Sequence, residues 1–187
     1  MRIVAGRFRG KSLATPRSHG TRPTSDRLRE TIFNILAHGL AFDVDGARVL
    51  DLFAGTGALG FEAISRGARH CTFIEEGAEA RGVIRTNMEN LGLNGVAKIF
   101  RRDATRLGAA GTIDPFNLVF ADPPYGKGLG ELAFASAARG GWLAPGALCI
   151  LEETAAAAPE LPAGFSETDR RQAGESQVIF LQYDGDA

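Results

Sequence analysis

A chain of 187 residues with 44% hydrophobic side chains can bury one well-formed α/β core and carry a small appendage. No apolar run approaches the roughly 20 residues that span a bilayer, and the basic start MRIVAGRFRGKSLATPRSHG lacks the apolar centre of a secretory signal, so a cytoplasmic protein is expected. Cys71 and Cys149 are too few for a disulfide framework or a zinc site, and the net charge of -1 hides an uneven distribution.

The first 30 residues hold eight basic side chains (Arg2, Arg7, Arg9, Lys11, Arg17, Arg22, Arg27, Arg29) against Asp26 and Glu30, while the remainder carries 13 basic and 20 acidic ones. A basic arm on an acidic body predicts contact with a polyanion through that arm, and its glycines suit a loop that follows a nucleic-acid backbone. A solvated terminus without a partner is the plainer alternative. Residues 2–8 read as a short strand or hairpin, followed by a loop through Pro16, Ser18 and Gly20. Thr24-Ser25-Asp26 can cap a helix that runs to about residue 40, with Leu28, Ile32, Ile35 and Leu36 as its apolar stripe. The expected division is an extension over residues 1–40 and a main domain over 41–187.

In the main domain strands and helices alternate. Residues 48–53 read as a strand, 58–66 as a helix stopped by Gly67, 70–75 as a strand and 78–91 as a helix ending near Gly92. A strand at 96–101, a weak helix at 104–110, a strand at 116–121, a helix at 129–139 and a strand at 147–152 follow; 165–171 and 177–183 suggest a closing antiparallel pair. This alternation predicts an α/β fold with a largely parallel sheet covered on both faces and a ligand at the carboxyl ends of its strands.

The segment DLFAGTGALG at 51–60 is a glycine turn between a strand and a helix. Gly55, Gly57 and Gly60 match G-x-G-x-x-G, and Glu75 stands 20 residues after Gly55, so a dinucleotide-binding enzyme is a rival reading. Both readings use a backbone that approaches its ligand closely and an acid that accepts ribose hydroxyls. Asp51 separates them: a pyrophosphate is repelled by an acid just before the turn, whereas an ammonium-bearing methionine moiety can use it. Asp103, after the third strand, is placed to accept from an adenine amine with Ala104 beside the ring, although an isolated Asp there is also a common helix cap. Phe53 is expected to line the methionine or target pocket, or else to be core.

The segment ADPPY at 121–125 ends the fourth strand. An exocyclic amine is a poor nucleophile because its lone pair is delocalised into the ring. The Asp122 carboxylate and the Pro123 carbonyl can hold such an amine pyramidal, Pro124 stiffens the turn, and Tyr125 can stack on the base. Only the ring does the stacking, so phenylalanine is expected to serve in place of Tyr125. No G-x-S-x-G, HExxH or cysteine pair supports hydrolase or metal chemistry, and His19, His38 and His70 are widely spaced.

With both segments in place, the chain resembles the RsmD family of bacterial 16S ribosomal RNA guanine-N2 methyltransferases over nearly its whole length. The residues that carry this are RIVAGRFRGKSL at the start, RPTSDRLRETIFNIL at 22–36, VLDLFAGTGALGFEAISRGA at 49–68, and ADPPY. The resemblance implies a Rossmann-like class I methyltransferase fold with a mostly parallel seven-stranded sheet and a small basic N-terminal extension on the RNA side. It implies S-adenosylmethionine held by Asp51, Phe53, Gly55, Thr56, Gly57, Glu75, Asp103 and Ala104, with Asp122, Pro123, Pro124 and Tyr125 at the guanine amine. RNA contact is expected from Arg7, Arg9, Lys11, Arg22, Thr24, Arg27, Arg170 and Arg171. The implied partner is 16S ribosomal RNA within a small-subunit assembly particle, met by a monomer without metal or membrane. The stretch RRQAGESQVIFL departs from the family, many of whose members carry a lysine-tyrosine-glycine-like segment there. An adenine-amino methyltransferase sharing the DPPY loop, a dinucleotide oxidoreductase and a non-catalytic RNA-binding assembly factor are the competing readings.

Overall fold

The computed structural model describes residues 1–16 and 25–185. Its apolar runs form one seven-stranded sheet: β1 (Arg48–Leu52), β2 (His70–Ile74), β3 (Ala97–Phe100), β4 (Phe116–Ala121), β5 (Leu143–Thr154), β6 (Phe165–Ala173) and β7 (Ser176–Tyr183). The order is β3-β2-β1-β4-β5-β7-β6, with β1 to β5 parallel and β7 antiparallel to both of its neighbours. The chain builds outward from β1 through β2 to β3, then returns to lay β4 on the other side of β1. That reversal opens a crevice at the carboxyl ends of β1 and β4.

Side chains alternate across each strand, so the sheet has two apolar faces. Val49, Phe73, Phe120 and Ile150 face a core shared with α1 (Asp26–Asn34), α2 (Ala58–Ser65) and α3 (Ala78–Leu91). Leu50, Ile74, Val119 and Leu151 face the other core, with α4 (Leu129–Arg139) and Trp142. Every residue of α2 is buried, because the N-terminal arm lies across its outer side. Among the described residues no helix is long and apolar enough to cross a membrane.

Four elements differ in detail from expectation. Residues 2–8 form no regular strand, but the arm does close as a short hairpin: Arg2 bridges Ser12, Ile3 N donates to the Lys11 carbonyl at 3.0 Å and Gly10 N to the Ile3 carbonyl at 2.8 Å, while the amides of Val4, Ala5, Arg7 and Phe8 go to α2. Glu62 accepts from the Val4 and Ala5 amides at 2.8 and 3.0 Å, Ser65 Oγ accepts from Phe8 at 3.0 Å, and the Ser65 carbonyl accepts from Arg7 at 2.8 Å. Gly6 sits there at φ +80°, and a Cβ would overlap the Ser65 carbonyl, so only glycine permits the approach. The helix capped by Ser25 Oγ on Leu28 N ends at Asn34 and continues as a π-helical turn, Ile35–Gly39. The weak helix at 104–110 shrinks to a 3₁₀ turn, Ala104–Arg106: Ser136 Oγ captures the Leu107 amide and Gly108 turns at φ +70°. Finally, β5 starts earlier than expected, at Leu143, because an irregularity between Phe116 and Leu118 on β4 absorbs Pro145 and Gly146.

Candidate active site

A cavity of about 610 Å³ opens in the crevice. Its wall includes Asp51 near the end of β1, Phe53, Gly55 and Thr56 after it, Glu75 and Glu76 after β2, Arg102, Asp103 and Ala104 after β3, and Asp122–Tyr125 after β4. Eleven of the twelve residues expected at the cofactor and the target amine therefore line one cavity. Gly57 is the exception, standing behind the wall at φ +77° as the cap of α2, where a Cβ would lie 2.7 Å from the Phe61 ring.

The three glycines of the motif do separate jobs. Gly55 turns at φ +56°, where a Cβ would meet only the Phe53 carbonyl oxygen at 3.9 Å, so the backbone conformation and not lack of room selects glycine. Gly57 sets the start of the helix. Gly60 allows α2 to press on β2, since a Cβ would clash with the Phe73 ring and sit 2.6 Å from Cys71 Sγ. Phe53 holds a left-handed backbone at φ +56°, a conformation that costs a bulky residue about 1 kcal/mol or more and is concentrated at ligand sites.

Hydrogen bonds fix the acids. Glu75 bridges two loops, accepting from Gly55 N at 2.8 Å through Oε2 and from Gly77 N at 2.7 Å through Oε1. Each oxygen retains a second lone pair for a ribose hydroxyl. Asp103 Oδ1 accepts from the Thr105 amide at 2.8 Å and its hydroxyl at 2.7 Å, so this residue is the cap of the 3₁₀ turn while its other oxygen stays out of those bonds. Asp51 is 2% exposed, and its Oδ2 accepts from Gly60 N at 3.0 Å. Burial pushes its carboxyl well above the ordinary range, the Gly60 bond pulls it back, and the neighbouring Asp122 and Glu75 charges push it further up. The wall carries five acids against one base, and that base, Arg102, lies over the rings of Phe100 and Trp142 and donates to the Leu107 carbonyl. This balance makes the wall electrostatically suited to a cation and unfavourable to a pyrophosphate.

The loop after β4 has supports that the sequence does not reveal. Tyr125 donates its hydroxyl to Glu152 Oε1 at 2.7 Å, so the phenol is engaged as well as the ring. Glu153 takes the Gly126 amide on both oxygens, at 3.0 and 3.2 Å.

The described residues among those expected at RNA lie on three elements. Arg7, Arg9 and Lys11 are exposed on the arm, and Arg27 is exposed on α1. Arg22 and Thr24 fall outside the described residues. Arg170 and Arg171 lie on β6, away from the cavity wall, paired with Glu167 at 2.6 Å and Asp169 at 3.0 Å. Asn87 on α3 joins arm to cavity: it accepts from Ala14 N at 2.7 Å and donates to the Thr56 carbonyl at 3.4 Å. His70 packs against Thr72 and is pushed down to about 4 by burial and by Arg48, Lys98 and Arg69.

Comparison with known proteins places this geometry. A family model described as "Conserved hypothetical protein 95" matches residues 1–182. The ribosomal RNA small subunit methyltransferase D of Escherichia coli K12 is 39% identical over 188 residues, covering 100% of this chain and 91% of its own. Among solved structures, the yhhF protein of Escherichia coli superposes with a TM-score of 0.84 at 36% identity, covering 99% of this chain and 98% of that one. The Thermus thermophilus 16S rRNA N2 G1207 methyltransferase, solved with AdoMet and guanosine, shares the fold at a TM-score of 0.60 and 22% identity, over 89% of this chain and 45% of that one.

Proposed function

The chain belongs to the ribosomal RNA small subunit methyltransferase D family, and on that premise we propose that it methylates the exocyclic N2 amine of one guanine in 16S ribosomal RNA, guanine 966 in the family. The proposed cofactor is S-adenosylmethionine and the proposed substrate a small-subunit assembly particle, met by a monomer in the cytoplasm. The observation that carries the reading is the acidic cavity wall, which favours a cationic cofactor over a dinucleotide, next to a diproline loop ending in an aromatic ring.

Bound there, the cofactor supplies a methyl group on a sulfonium: the amine nitrogen takes that carbon as the carbon–sulfur bond breaks, and the surplus proton leaves to Asp122 or to water. The chain's part is orientation and electrostatics. Asp51 receives the cationic methionine end, directly or through water, and Glu75 the ribose. Asp103 accepts from the adenine amine through the oxygen that does not cap the turn. The Asp122 carboxylate and the Pro123 carbonyl accept from the target amine and keep its lone pair out of the ring. Tyr125 stacks on the guanine, which leaves its helix to expose N2. Positive charge that develops on the amine is stabilised by Asp122, so that contact strengthens as the reaction proceeds.

The test is methyl transfer to small-subunit particles followed by nucleoside mass analysis, with Asp122→Ala alongside. N2-methylguanosine from the wild type, and its loss in Asp122→Ala with cofactor affinity kept, is the expected outcome. Methyladenosine as product would favour the adenine reading, and cofactor binding without transfer the assembly-factor reading. A wild-type single-turnover rate in Asp122→Ala would remove that residue from the chemistry.

A further inference from the structure

We propose that Glu152 and Glu153, at the end of β5, are the positioning residues of the methyl-transfer loop, fixing Tyr125 and Gly126 so that Asp122 and Pro123 present their acceptors in one direction. The inference rests on the reading of that loop as the target-amine site.

The loop needs outside anchorage. Pro123 and Pro124 remove two consecutive amide donors, and the last β4–β5 pair is Ala121 with Leu151. Beyond it β5 runs on to Thr154, held only on its other side by β7, where Glu152 pairs with Val178 and Glu153 with Gln177. The place beside these last residues, where β4 would continue, belongs to the loop. Adjacent residues of a strand point to opposite faces, so Glu152 shares the face of Ile150 and Glu153 that of Leu151.

Two carboxylates thus grip the loop from opposite sides of the sheet. Glu152 takes the Tyr125 hydroxyl, and Glu153 takes the Gly126 amide while also accepting from Thr154 N at 2.7 Å. Their exposures are 6% and 3%. A strand end this deeply buried favours apolar residues unless the charges meet strong donors. Gly126, at φ +72°, then turns the chain toward Gly128 and α4. The position of the Tyr125 ring is set at its hydroxyl end by Glu152 and at its backbone end by Glu153.

Tyr125→Phe is the principal variant, because the ring is 38% exposed and loss of its hydroxyl leaves the core intact. With particle substrate and saturating cofactor, it should lower kcat about 10- to 100-fold, the worth of a hydrogen bond to a charged group, with cofactor Kd and RNA KM within about twofold. Glu152→Leu should lower kcat in the same direction, and its loss should combine with that of Tyr125→Phe less than multiplicatively, since the two variants share the bond between them. Glu153→Leu, which removes the acceptors of the Gly126 N–H, should lower kcat with the same split. A kcat for Tyr125→Phe equal to wild type, or losses that multiply in the double variant, would overturn the proposal. So would cofactor affinity and melting temperature falling in step with kcat, the mark of a purely structural role. Inactive wild-type protein would instead refute the functional reading itself.

Discussion

Replacing Asp51 by asparagine separates two demands on one buried carboxyl. Its folded-state value is raised above the ordinary 3.8, first by burial and then by Asp122 and Glu75, against the opposing Gly60 bond. A raised acid contributes stability that is fully present below 3.8 and is lost as pH rises through the folded value. Asparagine keeps the shape and can still accept from Gly60 N without that loss. The variant without cofactor should therefore melt above wild type at pH 7–8, by about 2–4 °C for each kcal/mol gained in a domain of this size, and the advantage should shrink on acidification. Cofactor binding should move the other way. A cation beside Asp51 requires the carboxylate, so wild-type affinity should fall about tenfold per pH unit below the folded value. In Asp51→Asn it should be weaker by about 1.5–3 kcal/mol at neutral pH and nearly independent of pH. Calorimetry with S-adenosylmethionine in two buffers of different ionisation enthalpy would count the proton released by wild type, and melting curves from pH 5 to 8 would test the stability arm. A variant that binds as tightly as wild type throughout, or melts below it at neutral pH, would refute the reasoning.

Gly6→Ala should destabilise the protein by about 1–3 kcal/mol or detach the arm, because the new methyl meets the Ser65 carbonyl and the φ of +80° opposes any side chain; denaturant melts and amide exchange at Val4 and Ala5 would report it. Neutralising Arg7, Arg9 and Lys11 together should weaken particle binding and lower its salt slope by about 2–3 while leaving cofactor affinity unchanged; an unchanged slope would remove the arm from the RNA contact.

The cavity was legible because its residues stand where apolar runs end in acids or glycines. Asp51, Glu75 and Asp122 each lie within one residue of a strand's end, and strand ends on one side of a parallel sheet converge whatever the intervening sequence. Glu152 and Glu153 follow the same rule at the end of ILEE, yet nothing local says that their partner is a loop 27 residues earlier. Arg102 was hidden for a similar reason, since its place depends on Phe100 and Trp142 coming together. The arm was legible only in part. Its hairpin closes between residues 1–3 and 10–13, but Glu62 and Ser65 take the amides of Val4, Ala5 and Phe8, which no local pattern foretells. Contacts of long sequence separation decided each of these cases, and local propensity carries no information about them.

The same clasp has a consequence for the order in which the chain matures. Arm residues emerge during synthesis before the groups that hold them, since Glu62, Ser65 and Asn87 follow 57 to 73 positions later. Closing loops of that length carries an entropic cost before any contact rewards it, so the arm locks only after α2 and α3 are seated on the sheet. A nascent or partly unfolded chain therefore shows Arg7, Arg9 and Lys11 as an unclasped segment, and these charges are ordered only on a molecule whose cavity is already built.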